Sequence, residues 1–124
     1  MILAVMADLL FSVKIIDVAK KLGLKVEFVK DEATALGKFR LRPEVVIFDL
    51  NYAAANPIGL IWRIKGDPET KLIDTVGFVS HVQIDLKREA QEAGCDVVVA
   101  RSAFARKLPD ILARYAGDET ATRN

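Results

Sequence analysis

The chain has 124 residues, of which 52% are apolar and 28% charged, the balance of one packed globule and not of a disordered or fibrous chain. Eighteen Lys plus Arg stand against 17 Asp plus Glu, a net charge of +1 that argues against a dedicated nucleic-acid or anionic-membrane binder. One cysteine, Cys95, and one histidine, His81, exclude an internal disulfide and a clustered Cys/His metal site.

The first eleven residues are apolar but lack a basic leader, and Asp8 interrupts them, so they do not read as a signal peptide. No stretch approaches the ~18 apolar residues of a spanning helix, and a cytoplasmic location is expected. Residues 2–7 form a continuous apolar run, a buried first strand. Phe11, Ile15, Val18, Ala19 and Leu22 then share one helical face, and Gly23 suits a left-handed cap. Leu24, Val26 and Phe28 alternate with Lys25 and Glu27, the pattern of a half-buried strand near a sheet edge. Residues 31–40 read as a short helix carrying Ala35, Leu36 and Phe39. Val45, Val46, Ile47 and Phe48 make a third strand that Asp49 closes. Residues 58–65 are a helix with Ile58, Ile61 and Trp62 on one face, and Gly66-Asp67-Pro68 breaks it. Residues 73–79 form a fourth strand ending at Ser80. Leu86, Ala90 and Ala93 stripe the next helix, which Gly94 caps. Val97, Val98 and Val99 form the fifth strand. Phe104, Leu108, Ile111, Leu112 and Tyr115 stripe the last helix, in which Pro109 is tolerable only within a first turn. Residues 117–124 are polar and are expected to fray.

Five strand–helix repeats with strands apolar on both faces imply a doubly wound parallel sheet, a flavodoxin-like α/β fold of order 2-1-3-4-5. Function in such sheets collects at the carboxyl ends of the strands. That places Met6, Ala7, Asp8, Asp49, Asn51, Ser80, His81 and Arg101 at the candidate site.

Three segments at these positions carry a family likeness. "RPEVVIFDLN" resembles the third strand, with its phosphoacceptor aspartate, of the receiver domain of two-component response regulators. "IWRIKGDPETKLIDTVGFVS" resembles that family's third helix and fourth strand, and "REAQEAGCDVVVARS" its fourth helix and fifth strand. The resemblance spans roughly residues 2–116 and leaves 117–124 as a tail, with no room for an output domain. It implies a phosphoacceptor at Asp49, a switch hydroxyl at Ser80 and, at Arg101, the position of the family's lysine.

The departures are as specific as the likeness. An ungapped first helix puts Met6 and Ala7 where the family carries an acidic, magnesium-binding pair, and neither side chain suits a hard cation. Asp8, one position later, either substitutes for the lost pair or caps the first helix. Arginine for lysine at position 101 keeps charge but changes reach. Ser102 replaces the family's proline, Val98 its aromatic switch, and the loop after Asp49 is longer. The resemblance is therefore to an atypical, or pseudo-, receiver.

The leading expectation is a stand-alone receiver-like module, not an enzyme, that acts without phosphorylation and without a cofactor. It would bind a protein partner or a second copy through the fourth helix, fifth strand and last helix, a face that includes Lys87, Arg88, Gln91, Arg106, Asp110 and Arg114. Neither nucleic acid nor membrane is expected as partner. One alternative keeps Asp49 as a true phosphoacceptor with magnesium and Asp8 as makeshift ligand. Another is a small ligand-binding or enzymatic domain, marked by a closed apolar pocket at the strand ends. A Ser80–His81–Asp hydrolase is disfavoured, because adjacent residues point apart and no nucleophile elbow is present. The plainer reading of Asp49 is a leftover carboxylate that hydrogen-bonds loop amides or pairs with Arg101, and the pairing would make Asp49→Ala destabilise the fold. Cys95 is expected to be a small core residue, Phe39 and Trp62 to pack in the core or at an interface, and Lys20, Lys21 and Lys25 to lie on a solvated face.

Overall fold

A computed structural model describes residues 1–80 and 83–123, with side chains described through residue 116. The strands are β1 (Ile2–Val5), β2 (Val26–Val29), β3 (Val45–Asp49), β4 (Asp74–Val79) and β5 (Val97–Ala100). All pair in parallel in the order β2-β1-β3-β4-β5, which is the expected doubly wound sheet. The register places Val5 beside Val29 and Phe48, and Asp49 beside Phe78, so the candidate positions emerge along one edge of the sheet.

The helices are α1 (Leu9–Lys21), α2 (Glu32–Phe39), α3 (Pro57–Gly66), α4 (Ile84–Glu92) and α5 (Arg101–Arg123). Alternation along each strand divides the core in two. Ile2, Ala4, Ile47 and Phe78 face Phe11 and Ile15 of α1 and Phe104 and Leu108 of α5. Leu3, Val5, Val46 and Phe48 face α2, α3 and α4 through Ala35, Leu60, Ile64 and Ala90. Each fully buried Phe or Ile contributes about 1.5–3 kcal/mol, so the stripes and not helix propensity hold these helices down. Gly23 and Gly94 take the left-handed conformation, at φ +73° and +102°, just past α1 and α4.

Three expectations need correction. Trp62 does not share a buried face with Ile61: α3 buries Pro57, Leu60, Ile61 and Ile64, and Trp62 is 56% exposed. Pro57 at the first helical position starts α3 one residue early and sets that rotation. Pro109 lies well inside α5 and not in its first turn, because β5 runs into α5 with no intervening loop. Its side chain is exposed, so the missing backbone hydrogen bond falls on the solvent wall. Finally, α5 extends to Arg123, past the Tyr115 limit of its apolar stripe.

Candidate functional site

The strand ends bring together Asp8, Asp49, Asn51, Ser80 and Arg101. His81, named with them from sequence, lies outside the described residues. The N–H of Met6 donates to the Val29 carbonyl at 3.1 Å, prolonging the β1–β2 ladder by one residue. That pairing turns the Met6 side chain into the core beside α1 and α5, where it is 1% exposed. Ala7 offers no donor atom.

Asp8 is the N-cap of α1. Its extended backbone lets Oδ1 accept the Phe11 N–H at 2.9 Å, satisfying one of the helix's orphan donors. Its other oxygen accepts from the Arg101 guanidinium in a salt bridge. The Phe11 N–H, with Arg101 adding to it, holds the Asp8 carboxyl below the usual range. Asp8 is thus one carboxylate that caps α1 and ties it to α5.

Arg101 opens α5 directly after β5. Its guanidinium carbon lies 4.6 Å from the Phe11 ring centroid and 5.8 Å from that of Phe78. Phe11, Phe78 and Phe104 themselves form a contiguous aromatic group with centroids 5.0–5.7 Å apart. Stacking on these rings aims the guanidinium at Asp8. The expected Asp49–Arg101 ion pair is therefore not formed: Arg101 salt-bridges Asp8, and Asp49 feels it only as a nearby charge.

Asp49 ends β3, is 9% exposed, and accepts the Asn51 N–H at 3.0 Å. Burial raises its carboxyl pKa; the Asn51 bond and the Arg101 charge only partly offset this, and Asp8 adds to the rise. Asn51 has a role the sequence did not disclose. Its Oδ1 accepts the Ser80 N–H at 2.7 Å and its Nδ2 donates to Gln83, clamping the β3 loop to the exit of β4. The same loop is pinned by the Tyr52 hydroxyl on the Lys30 carbonyl at 2.8 Å and by Leu50 over Gly77, where a Cβ would come within 2.9 Å of the Leu50 side chain. Ser80 is exposed, and its hydroxyl makes no hydrogen bond among the described residues. Val98 is half-buried and packs toward α3 and α4, and Ser102 sits exposed in the first turn of α5.

This donor set does not fit a magnesium ion. Among the described residues no three His, Cys, Asp or Glu side chains are grouped to hold a metal. Met6 is committed to the core and Asp8 to Arg101, leaving Asp49 without the further anionic oxygens such an ion prefers.

Five parallel strands in this order, with α1 and α5 on one face, α2 to α4 on the other and an aspartate ending the third strand, define the fold of a response-regulator receiver domain. A response regulator from Hahella chejuensis matches at a TM-score of 0.80 and 20% identity, over 90% of this chain and 91% of that one. The magnesium-bound receiver domain of a sensor histidine kinase from Pseudomonas aeruginosa matches at 0.78 and 18%, over 94% and 96%. A chemotaxis response regulator of Vibrio cholerae matches at 0.77 and 19%, over 91% and 95%. No protein-family model and no curated protein sequence matches the chain. No helix among the described residues is long and apolar enough to cross a membrane.

Proposed function

We propose that this chain is a receiver-like signalling module that works by binding a protein and not by magnesium-dependent phosphorylation of Asp49. The observation that carries the reading is the Asp8–Arg101 salt bridge. It occupies the one acid near the lost pair and holds the cation that would meet a phosphoryl group. Phosphoryl transfer to a carboxylate depends on metal and cation to neutralise charge growing on the transferred oxygens. With Met6 and Ala7 at the pair, Asp49 lacks that support. The output is then contact. The α4–β5–α5 face offers exposed Lys87, Arg88, Gln91, Arg106, Asp110 and Arg114 for it.

Incubation with acetyl phosphate and magnesium, read by intact-protein mass, tests the reading. The expected result is an unchanged mass, and beryllofluoride should leave the amide spectrum around Asp49 unmoved. A phosphoryl mass increase that disappears in Asp49→Asn would instead establish the phosphoacceptor alternative.

A further inference from the structure

We infer that the free edge of β2, with the outer wall of α1, is a self-association surface that joins two copies of this chain through one continuous sheet. β2 ends the sheet and pairs only with β1. The ladder between them uses the carbonyls of Lys25 and Val29, which accept from the N–H groups of Ile2 at 2.9 Å and Met6 at 3.1 Å. Backbone groups alternate in direction along a strand, so the N–H and C=O of Val26 and Phe28 point to the open side. β2 carries no proline, and no further strand covers it among the described residues. Such an edge is a template for another strand.

The side chains beside this edge are apolar on one side and charged on the other. Leu24, Val26 and Phe28 lie on the α1 side and are only half-buried, whereas every residue of β1 and β3 is buried. With Ile16 and Lys20 they line a groove of about 580 Å³. The groove runs onto the outer wall of α1, where Leu9, Val13 and Ile16 are 75%, 63% and 44% exposed at the i, i+4, i+7 spacing of one helix face. Lys25 and Glu27 lie on the opposite side of the sheet, where Glu27 meets Lys38 of α2 at 3.0 Å. Lys25 makes no ion pair among the described residues.

The order of these charges selects a second copy as the occupant. An antiparallel copy, related by a two-fold axis through Val26, sets Val26 opposite Val26, Leu24 opposite Phe28 and Lys25 opposite Glu27. The outward backbone groups make the Val26 pair a hydrogen-bonded one. Lys25 and Glu27 then fall in the non-hydrogen-bonded pair, where facing side chains approach most closely. A two-residue slip in either direction would set Lys25 against Lys25 or Glu27 against Glu27, so one register is favoured. The same axis, perpendicular to the sheet, keeps both α1 helices on one side, where the Leu9–Val13–Ile16 wall of each can cover that of the other. β2 and β5 are opposite edges, so this contact leaves the α4–β5–α5 face free, and it does not depend on the state of Asp49.

The test is sedimentation of the full chain over a concentration series up to about 200 µM, with circular dichroism to check that each variant folds. Wild type should pass from monomer to dimer within that range. Lys25→Glu and Glu27→Lys, both at exposed positions, should each weaken the dimer at least about tenfold, because like charges then face each other twice across the axis. An equimolar mixture of these two variants should regain the dimer, since every reversed charge then meets its opposite. Ile16→Glu should weaken association as well, through the α1 wall. Three results would overturn the proposal: wild type strictly monomeric at about 200 µM, which would leave the edge to a different protein; single charge variants that dimerise as well as wild type; or a mixture that stays monomeric. A dimer that survives these changes but is lost in Arg88→Glu or Arg106→Glu would also overturn it, and would place self-association on the α4–β5–α5 face.

Discussion

At the scale of single residues, Asp8 and Asp49 are two carboxylates that their surroundings push in opposite directions. Asp8 is held low by the Phe11 N–H and by Arg101. A folded-state pKa below the unfolded value of about 3.9 means stability that is present above that value and lost as pH falls through the folded one. Removing the cap alone costs about 0.5–2 kcal/mol, and Asp8→Ala also strips Arg101 of its partner. Asp8→Ala should therefore unfold at lower urea than wild type, with Asp8→Asn, which keeps a capping oxygen, in between. The gap between wild type and Asp8→Asn should begin to narrow as pH falls through the unfolded value of about 3.9 and close only below the lowered folded-state pKa. Asp49 is raised, chiefly by burial. Its ionised form costs stability at neutral pH, and that cost fades as pH drops through its folded pKa. Asp49→Asn keeps an acceptor for the Asn51 N–H and does not orphan Arg101, so at pH 7 it should melt no lower than wild type. The Asp49–Arg101 pairing expected from sequence requires the reverse, and one thermal scan separates the two.

At the scale of elements, apolar periodicity was enough to read all five strands, the sheet order and, Trp62 on α3 apart, the helix faces, because each stripe must bury against the sheet. Boundaries set by single polar contacts were less visible. Asp96 shows why: its carboxylate accepts from the Thr75 N–H at 2.9 Å, the Thr75 hydroxyl at 3.0 Å and Lys65 at 2.8 Å, and its own N–H donates to the Thr75 hydroxyl. Burial alone would raise its pKa, but Lys65 and Thr75 together outweigh it and lower it. This knot fixes the start of β5 against β4 using three residues 10 and 21 positions apart, a pairing no local pattern announces. The Asn51 clamp on Ser80 and Gln83 was hidden for the same reason. Nor did any pattern show that Leu9, Leu10, Val13 and Ile16 would stand 44–87% exposed, because the buried stripe of α1 is complete without them. Proline was misplaced because the sequence does not reveal that β5 and α5 abut. Within a helix interior proline is about 3 kcal/mol less favourable than alanine. Pro109 is exposed and lies outside the buried set that α5 packs onto the sheet. Pro109→Ala should therefore raise stability by about 1–3 kcal/mol, read as a higher urea midpoint at unchanged slope.

At the scale of the molecule, the receiver fold and the receiver chemistry depend on different residues, and so can part company. The fold rests on the two buried sets that sandwich the sheet, which the strand-end substitutions leave intact. The chemistry rests on a few side chains at the strand exits, where Met6 is buried in the core and Asp8 is bridged to Arg101. A ligand that binds only the native state stabilises it by RT ln(1 + [L]/Kd), so metal binding is visible as a shift in melting temperature. For wild type, on the order of 10 mM magnesium should shift the midpoint no more than the same ionic strength of sodium chloride. On the proposed reading, Ala7 is the position from which a metal site can be built. It follows the buried Met6, is partly exposed, and lies outside the Asp8–Arg101 bridge. Ala7→Asp would place a second carboxylate near Asp49 without burying a charge in the core, as Met6→Asp would. Millimolar magnesium should then raise the melting temperature of Ala7→Asp by a few degrees, and Asp49→Asn in that background should abolish the gain. A magnesium-specific shift in wild type would show that Asp49 and Asp8 already form a working site. A variant that folds yet ignores magnesium would show that the Arg101 guanidinium, and not the missing carboxylate, is what keeps the cation out.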